Sequence, residues 1–99
     1  MAPNPFVWEV QVRREVLDEE MARLQEIPYS VWRDAIRKPI TKQVTARDNK
    51  SYRLTVHAEF VHKDRGDIRV TLLLAKSGLV HRRLLRQSFV ITPRNAFHV

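Results

Sequence analysis

The 99-residue chain contains no cysteine, and that absence removes several kinds of chemistry. Disulfide frameworks, thiolate metal sites and cysteine nucleophiles all need a sulfur atom that the chain lacks, so the sequence is compatible with a reducing cytoplasm. Glycine is almost as scarce, because Gly66 and Gly78 are its only two glycines and cannot build a glycine-rich phosphate-binding loop. We therefore expect no bound cofactor. Catalysis is the function class with the least support, although a general acid and base brought together by folding would leave no linear motif.

Long apolar runs are also missing. No stretch approaches the roughly 18–20 apolar residues of a membrane-spanning helix, and "MAPNPFVWEV" lacks the basic segment and apolar run of a secretory signal. A chain of this length suits one compact domain. We therefore expect a single domain over residues 1–99 of a soluble, cytoplasmic protein without a membrane partner.

The histidines do not have the spacing of a metal site. His57 and His62 are five residues apart in a segment with strand character, so their side chains are expected on opposite sides. His81 and His98 are not close to another histidine in the chain. We expect surface or structural roles for all four and no metal site.

The charge of +7 is distributed unevenly along the chain. Residues 1–27 contain three Arg and six Asp or Glu, a net charge of −3, whereas residues 28–99 hold 15 Lys or Arg and five Asp or Glu, a net charge of +10. Such asymmetry can recruit a polyanion. It can equally attach the acidic segment to the basic body of its own chain or to a neighbouring copy.

The first part of the chain has helical spacing. In "EVLDEEMARLQEI", Leu17, Met21 and Leu24 recur at the period of one helix face, which predicts a helix over residues 14–26. Upstream, "FVWEVQV" alternates as a strand does, while Asn4 followed by Pro5 suits a helix start; we favour an extended segment, which would add an N-terminal strand. "IPYSVWRDAIRKPI" predicts a short helix over 30–37 with Ser30 as its N-cap.

From Thr41 onwards the apolar period changes to two, which predicts a sheet over residues 41–92. One apolar face is expected to run through Val44, Ala46, Tyr52, Leu54, Val56, Ala58, Phe60, Ile68, Val70, Leu72 and Leu74. The turns are "RDNK" and "HKDRG", and a fourth strand lies within "LVHRRLLRQSFVI". The tail, residues 93–99, has no clear pattern. The predicted fold is α+β: one long and one short N-terminal helix packed on a four-stranded antiparallel meander.

The alternation also predicts which residues face each other across the strands. Keeping Phe60 and Ile68 on one face sets Glu59 opposite Arg69, with His57 opposite Thr71 and Thr55 opposite Leu73. The same logic pairs Ala46 with Tyr52, which sets Thr45 opposite Arg53 and Gln43 opposite Thr55. The outer face of these three strands would then be polar and nearly balanced in charge.

The run "TLLLA" does not fit a sheet with one wet face, because it places Leu73 and Ala75 on the outer side, as the alternation does for Val61. A cover is expected there: the segment around Trp8, the tail around Phe97, or another protein chain. We therefore hypothesise a non-enzymatic protein-interaction or self-associating domain. Its candidate interface comprises Trp8, Val61, Leu73 and Ala75.

An alternative hypothesis is nucleic-acid binding through the basic fourth-strand region. Its candidate contacts are Lys63, Arg65, Lys76, Arg82, Arg83 and Arg86. Single-strand recognition by a sheet also needs exposed aromatic rings, whereas Tyr52 and Phe60 share their face with Leu54 and are expected in the core.

Three segments together resemble a known layout. "IPYSVWRDAI", the alternating strands and "SFVITPRNAF" are similar, over residues 14–97, to small uncharacterised bacterial domains in which a helical N-terminus precedes four antiparallel strands ending in a Phe-Ile, Pro, Phe pattern. Here the ending reads "PRNAF", without the Asp-Gly turn of that layout. The resemblance implies the same fold and a bacterial origin, and it implies no activity.

Overall fold

The structure, a computed structural model, describes the backbone of residues 5–47, 49–62, 64–76 and 85–98 and the side chains of residues 11–47, 49–62, 64–75 and 85–96. Two helices precede an antiparallel sheet, which confirms the α+β prediction. The elements are α1 (Pro5–Leu24), α2 (Tyr29–Asp34), β1 (Ile40–Thr45), β2 (Ser51–His62), β3 (Asp67–Lys76), β4 (Leu85–Ile91) and β5 (Phe97–His98). The strands lie side by side in chain order.

The prediction of an extended segment at the N-terminus is wrong, because α1 begins at Pro5 and runs through 20 residues. Proline suits the first helical turn, where its missing N–H removes no hydrogen bond. The described part of the helix buries a stripe at helical spacing: Val12, Arg13, Val16, Leu17, Glu20 and Met21. Val12 ends the alternation in "FVWEVQV" and also begins this buried stripe. The helical pattern continues to Met21, whereas the alternation stops at Val12, so the segment is helical.

The second helix is shorter than predicted and begins without the expected cap. Pro28 occupies the N-cap position, so Ser30 does not cap the helix. The N–H of Tyr29 instead donates to Asn95 Oδ1 at 2.8 Å, and its hydroxyl donates to the carbonyl of Gly66 at 2.6 Å. After the helix, Ile36 forms a parallel bridge with β2. Long-range hydrogen bonds therefore position α2 against the sheet.

The hairpin of β2 and β3 has the predicted register: Glu59 lies opposite Arg69 and His57 opposite Thr71. The predicted register of β1 and β2 is wrong by two residues, since Gln43 lies opposite Arg53 rather than Thr55. The turn is the cause. Asn49 adopts a left-handed conformation (φ 63°), its N–H donates to the carbonyl of Ala46, and the N–H of Ala46 donates to Lys50. Asparagine tolerates this conformation, and the shift leaves each residue on its predicted face.

The tail also contains a strand that its sequence did not predict. Phe97 and His98 form β5 opposite Ile91 and Val90. The connecting turn contains Asn95 at φ 62°, so asparagine supplies the left-handed residue that glycine usually supplies.

The core lies between the helices and one face of the sheet. Trp32 of α2 is buried there and meets the ring of Phe89 edge-on, with the ring centroids 6.2 Å apart. The sheet contributes Tyr52, Leu54, Val56, Ala58, Ile68, Val70, Leu72, Leu74, Phe89 and Ile91. Burial of these side chains provides the main driving force for the helices to pack on this face.

Polar contacts fasten α1 at the margins of the core. Glu20 is buried; its Oε1 accepts a hydrogen bond of 3.2 Å from Arg23, and its Oε2 lies 3.1 Å from Lys42 Nζ of β1 in an ion pair that lacks hydrogen-bond geometry. Arg47 contacts both carboxylate oxygens of Glu15, at 2.9 and 2.8 Å. These contacts attach the acidic helix to the basic body of its own chain, one of the outcomes expected from the charge asymmetry.

Lys42→Met is expected to lower the free energy of unfolding by about 1–3 kcal/mol, because it leaves the buried Glu20 carboxylate without its cation from the sheet. Urea denaturation followed by circular dichroism measures the change. Arg14→Met is the control: Arg14 is exposed on the same helix and forms no ion pair with a described carboxylate, so its loss should cost about 0.5 kcal/mol or less. Equal losses in the two variants would contradict the role assigned to Lys42.

Candidate functional site

The face of the sheet opposite the helices, called the open face below, is the candidate site. Successive strand residues alternate between the two faces, and the buried side chains of both helices join the core on the other side. The described open face comprises Thr41, Gln43, Thr45, Arg53, Thr55, His57, Glu59, Arg69, Thr71, Leu73, Ala75, Arg86, Ser88 and Val90.

Three arginines of the open face are exposed and have no partner in the part of the chain that the structure describes. Arg53, Arg69 and Arg86 form no hydrogen bond or ion pair with the described residues. Glu59 is opposite Arg69 in the register, yet no ion pair joins their side chains. The prediction of a nearly balanced outer face omitted β4, which adds Arg86, so the described open face has three guanidinium groups and one carboxylate.

Each of these arginines lies beside an apolar residue. Across the strands, Arg53 is opposite Ala75, Arg86 is opposite Leu73 and Arg69 is opposite Val90. Side chains directly opposite each other have Cβ atoms about 4.5–5.5 Å apart. All three apolar residues are half-buried. The open face therefore combines unpaired positive charge with a small apolar strip formed by Leu73 and Ala75.

The residues predicted for a protein interface do not form one corner. Leu73 and Ala75 lie together on β3, but Val61 is six residues beyond Thr55, the partner of Leu73 on β2, which is about 20 Å along the strand. A register irregularity between Phe60 and His62 also displaces Val61 from the regular alternation. Trp8 is part of α1, whose described side chains pack on the opposite face; the Trp8 and Phe97 side chains lie outside the described residues.

The basic residues predicted for nucleic-acid contact are also divided. Arg86 lies on the open face, whereas Arg65 is exposed in the turn between β2 and β3. That turn and the end of β3 at Lys76 are separated by a strand of ten residues, roughly 30 Å. Lys63, Arg82 and Arg83, and the side chain of Lys76, lie outside the described residues.

The described aromatic rings belong to the core side of the sheet. Tyr52 is fully buried, and the other rings that belong to the core or pack against it are those of Tyr29, Trp32, Phe60 and Phe89. The placement of Tyr52 and Phe60 agrees with the sequence. No described Phe, Tyr or Trp side chain therefore lies on the open face, where the half-buried His57 is the described aromatic ring.

Thr71 occupies the centre of the open face. It lies between His57 of β2 and Ser88 of β4 and is only 1% exposed. Its hydroxyl has no hydrogen-bond partner among the described residues, which is costly for a buried polar atom. The sequence predicted its position but not its burial.

The sequence contained a signal for the arginine arrangement. In "RQSFVI", the alternation that buries Phe89 and Ile91 places Arg86, Ser88 and Val90 on the other face. Treating this segment as a regular strand would have added Arg86 to Arg53 and Arg69. The absence of partners for these arginines could be seen only once the side chains were placed.

The described residues contain neither a metal site nor a membrane-spanning helix. No group of three His, Cys, Asp or Glu side chains is arranged there to hold a metal ion. No helix in the described part of the chain has both the length and the apolar character needed to cross a bilayer.

Comparison with protein-family models, with curated proteins and with solved structures finds no significant match. The similarity to small bacterial domains of helix-then-sheet layout therefore stays a prediction.

Thr71→Val is expected to raise the free energy of unfolding by about 1 kcal/mol, because a methyl group replaces a buried hydroxyl that has no partner. Thermal and urea unfolding measure the change. Thr55→Val is the matched control, since the half-buried Thr55 hydroxyl lies 3.5 Å from that of Thr41 and its replacement should be close to neutral. A destabilised Thr71→Val protein would mean that the hydroxyl has a partner in solution.

Proposed function

We propose that the chain is a small protein-interaction domain whose open face binds an acidic surface of another protein. The observation that carries the proposal is the set of three exposed arginines that pair with no described residue and lie beside Leu73, Ala75 and Val90. A guanidinium group can bind a carboxylate through two parallel hydrogen bonds, and arginine is enriched among the residues that dominate binding energy at protein interfaces.

The cations on the two faces of the sheet differ in whether they form ion pairs. On the helix side, Lys42 lies beside Glu20, and Arg47 beside Glu15. On the open face, no ion pair joins Arg53, Arg69 or Arg86 to a described residue, although Glu59 lies opposite Arg69 in the register. Carboxylates of a partner protein would pair with the open-face arginines, as the carboxylates of α1 pair with the cations on the helix side.

The apolar strip favours a protein over a nucleic acid as that partner. Protein interfaces combine an apolar centre with a polar rim, and Leu73 with Ala75 flanked by Arg86 and Arg53 has this arrangement on a small scale. A single-stranded nucleic acid would need stacking surfaces, and the described open face has no Phe, Tyr or Trp side chain and only the half-buried ring of His57.

Binding of poly-L-glutamate, used as an acidic polypeptide probe, tests the proposal. The triple variant Arg53→Gln, Arg69→Gln, Arg86→Gln should bind the probe about tenfold more weakly than the unaltered protein, since exposed ion pairs contribute about 0.2–1 kcal/mol each. Fluorescence anisotropy of labelled probe at about 0.15 M salt provides the measurement, so that weak long-range attraction is screened.

The matched control removes the same charge elsewhere. Arg14, Arg33 and Arg94 are exposed on α1, on α2 and in the turn before β5, and all three are replaced by Gln. This control should bind the probe nearly as well as the unaltered protein. Equal losses in both triple variants would show that net charge alone attracts the probe and would overturn the site.

A mixed-sequence single-stranded DNA is the competing probe. If the DNA binds more tightly than poly-L-glutamate at about 0.15 M salt and loses affinity in the open-face triple variant, nucleic-acid binding replaces the proposal. DNA that binds only at lower salt, and not at about 0.15 M, would support the proposed protein partner.

A further inference from the structure

The two edges of the sheet differ in length and regularity. The edge opposite β1 is divided: β5 has two residues and pairs only with Val90 and Ile91, so residues 85–89 of β4 have no described strand beside them on that side. The edge formed by β1 has six residues and pairs with β2 without a bulge. It contains no proline, since Pro39 lies just before its first residue. Long, regular edges of this kind are templates for adding a strand.

The hydrogen-bond phase shows which backbone groups point outward. The N–H of Ala46 donates to Lys50 of the same hairpin, at 3.1 Å. In an antiparallel pair, alternate residues direct both backbone groups toward the partner strand, so positions 44, 42 and 40 also face β2. Thr41 and Thr45 therefore direct their backbone N–H and C=O groups away from the sheet.

We propose that two copies of this chain pair through their β1 strands, antiparallel, about a two-fold axis that passes through position 43. In this register Thr41 of each copy lies opposite Thr45 of the other, so the outward-pointing backbone groups meet. Lys42 lies opposite Val44 of the second copy, and Ile40 lies opposite Ala46. No like charges face each other.

Neighbouring registers are less favourable. An axis at position 42 would set the two Lys42 side chains opposite each other and bring Pro39, which has no N–H, opposite Thr45. An axis at position 44 would set Thr41 opposite Arg47, which lies beyond the end of β1. An axis at position 43 therefore pairs the outward-facing residues of β1 along the whole strand.

The usual protection of an edge strand is weak at β1. Lysine often guards an edge because its charge would be desolvated by an added strand. Here the ammonium group of Lys42 is held 3.1 Å from Glu20 on the helix side, so its charge is already compensated. Ile40, at the start of the edge, is 54% exposed and would be partly covered by the second copy.

The proposed dimer would join the two open faces. A two-fold axis perpendicular to the sheet leaves both open faces on the same side, and the two Arg53 Cα atoms would be about 14 Å apart across three strand spacings. Because main-chain hydrogen bonds are its main contribution, we expect a weak dimer whose population depends on protein concentration.

Two double variants that place like or opposite charges at the proposed contact test both the dimer and its register. The variant Thr41→Lys, Thr45→Lys sets like charges opposite each other twice in the dimer, whereas Thr41→Lys, Thr45→Glu sets opposite charges there. Both threonines are exposed, so both variants should fold. Sedimentation equilibrium over a wide concentration range should give a dimer dissociation constant about tenfold higher for the first variant than for the second.

The outcomes are decisive and separate from those for the open face. A monomer at every concentration, or equal dissociation constants for the two variants, would overturn the proposal. The triple variant of Arg53, Arg69 and Arg86 should dimerise as the unaltered protein does, because none of these residues belongs to β1. Loss of dimerisation in that triple variant would place the contact on the open face instead and overturn edge pairing.

Discussion

The packing of α1 against one face of the sheet positions the other parts of the described chain. Its buried stripe, from Val12 to Met21, covers the apolar residues of the central strands, and the pairs Glu20–Lys42 and Glu15–Arg47 fasten the helix to β1 and to the turn that follows it. Since α2 joins the same core through Trp32, the described helical residues that are buried lie on one side of the sheet. The polar side chains of the strands are left on the other side.

This one-sided packing separates the charges of the protein into two groups. Acidic residues of α1 pair with cations on the helix side, and burial makes an unpaired charge costly at one of them, Glu20. Arg53, Arg69 and Arg86 face away from those acids and remain exposed. A positive net charge along the chain is therefore less informative than its distribution: some cations pair with the acidic helix, and others lie exposed on the open face without a partner among the described residues.

The edge strand β1 connects the two proposals. Its inward-facing Lys42 serves the fold through Glu20, while Thr41 and Thr45 belong to the open face and direct their backbone groups outward. A dimer formed through this edge would double the number of open-face arginines on one side. Two weak contacts to one acidic partner then reinforce each other, since the second forms within a complex that already exists.

The sequence by itself determined the α+β class and the faces of β2 and β3, because alternation with period two leaves no freedom once one side is buried. It also determined the β2–β3 register, as Phe60 and Ile68 show. The helical start at Pro5 was not resolved, since a strand and a helix both fit four alternating apolar residues. The tertiary structure alone decided the β1–β2 register, which depends on the left-handed backbone of Asn49, and the capping of α2 by the distant Asn95. It also decided which arginines have a carboxylate partner, because that depends on distances between side chains far apart in the chain.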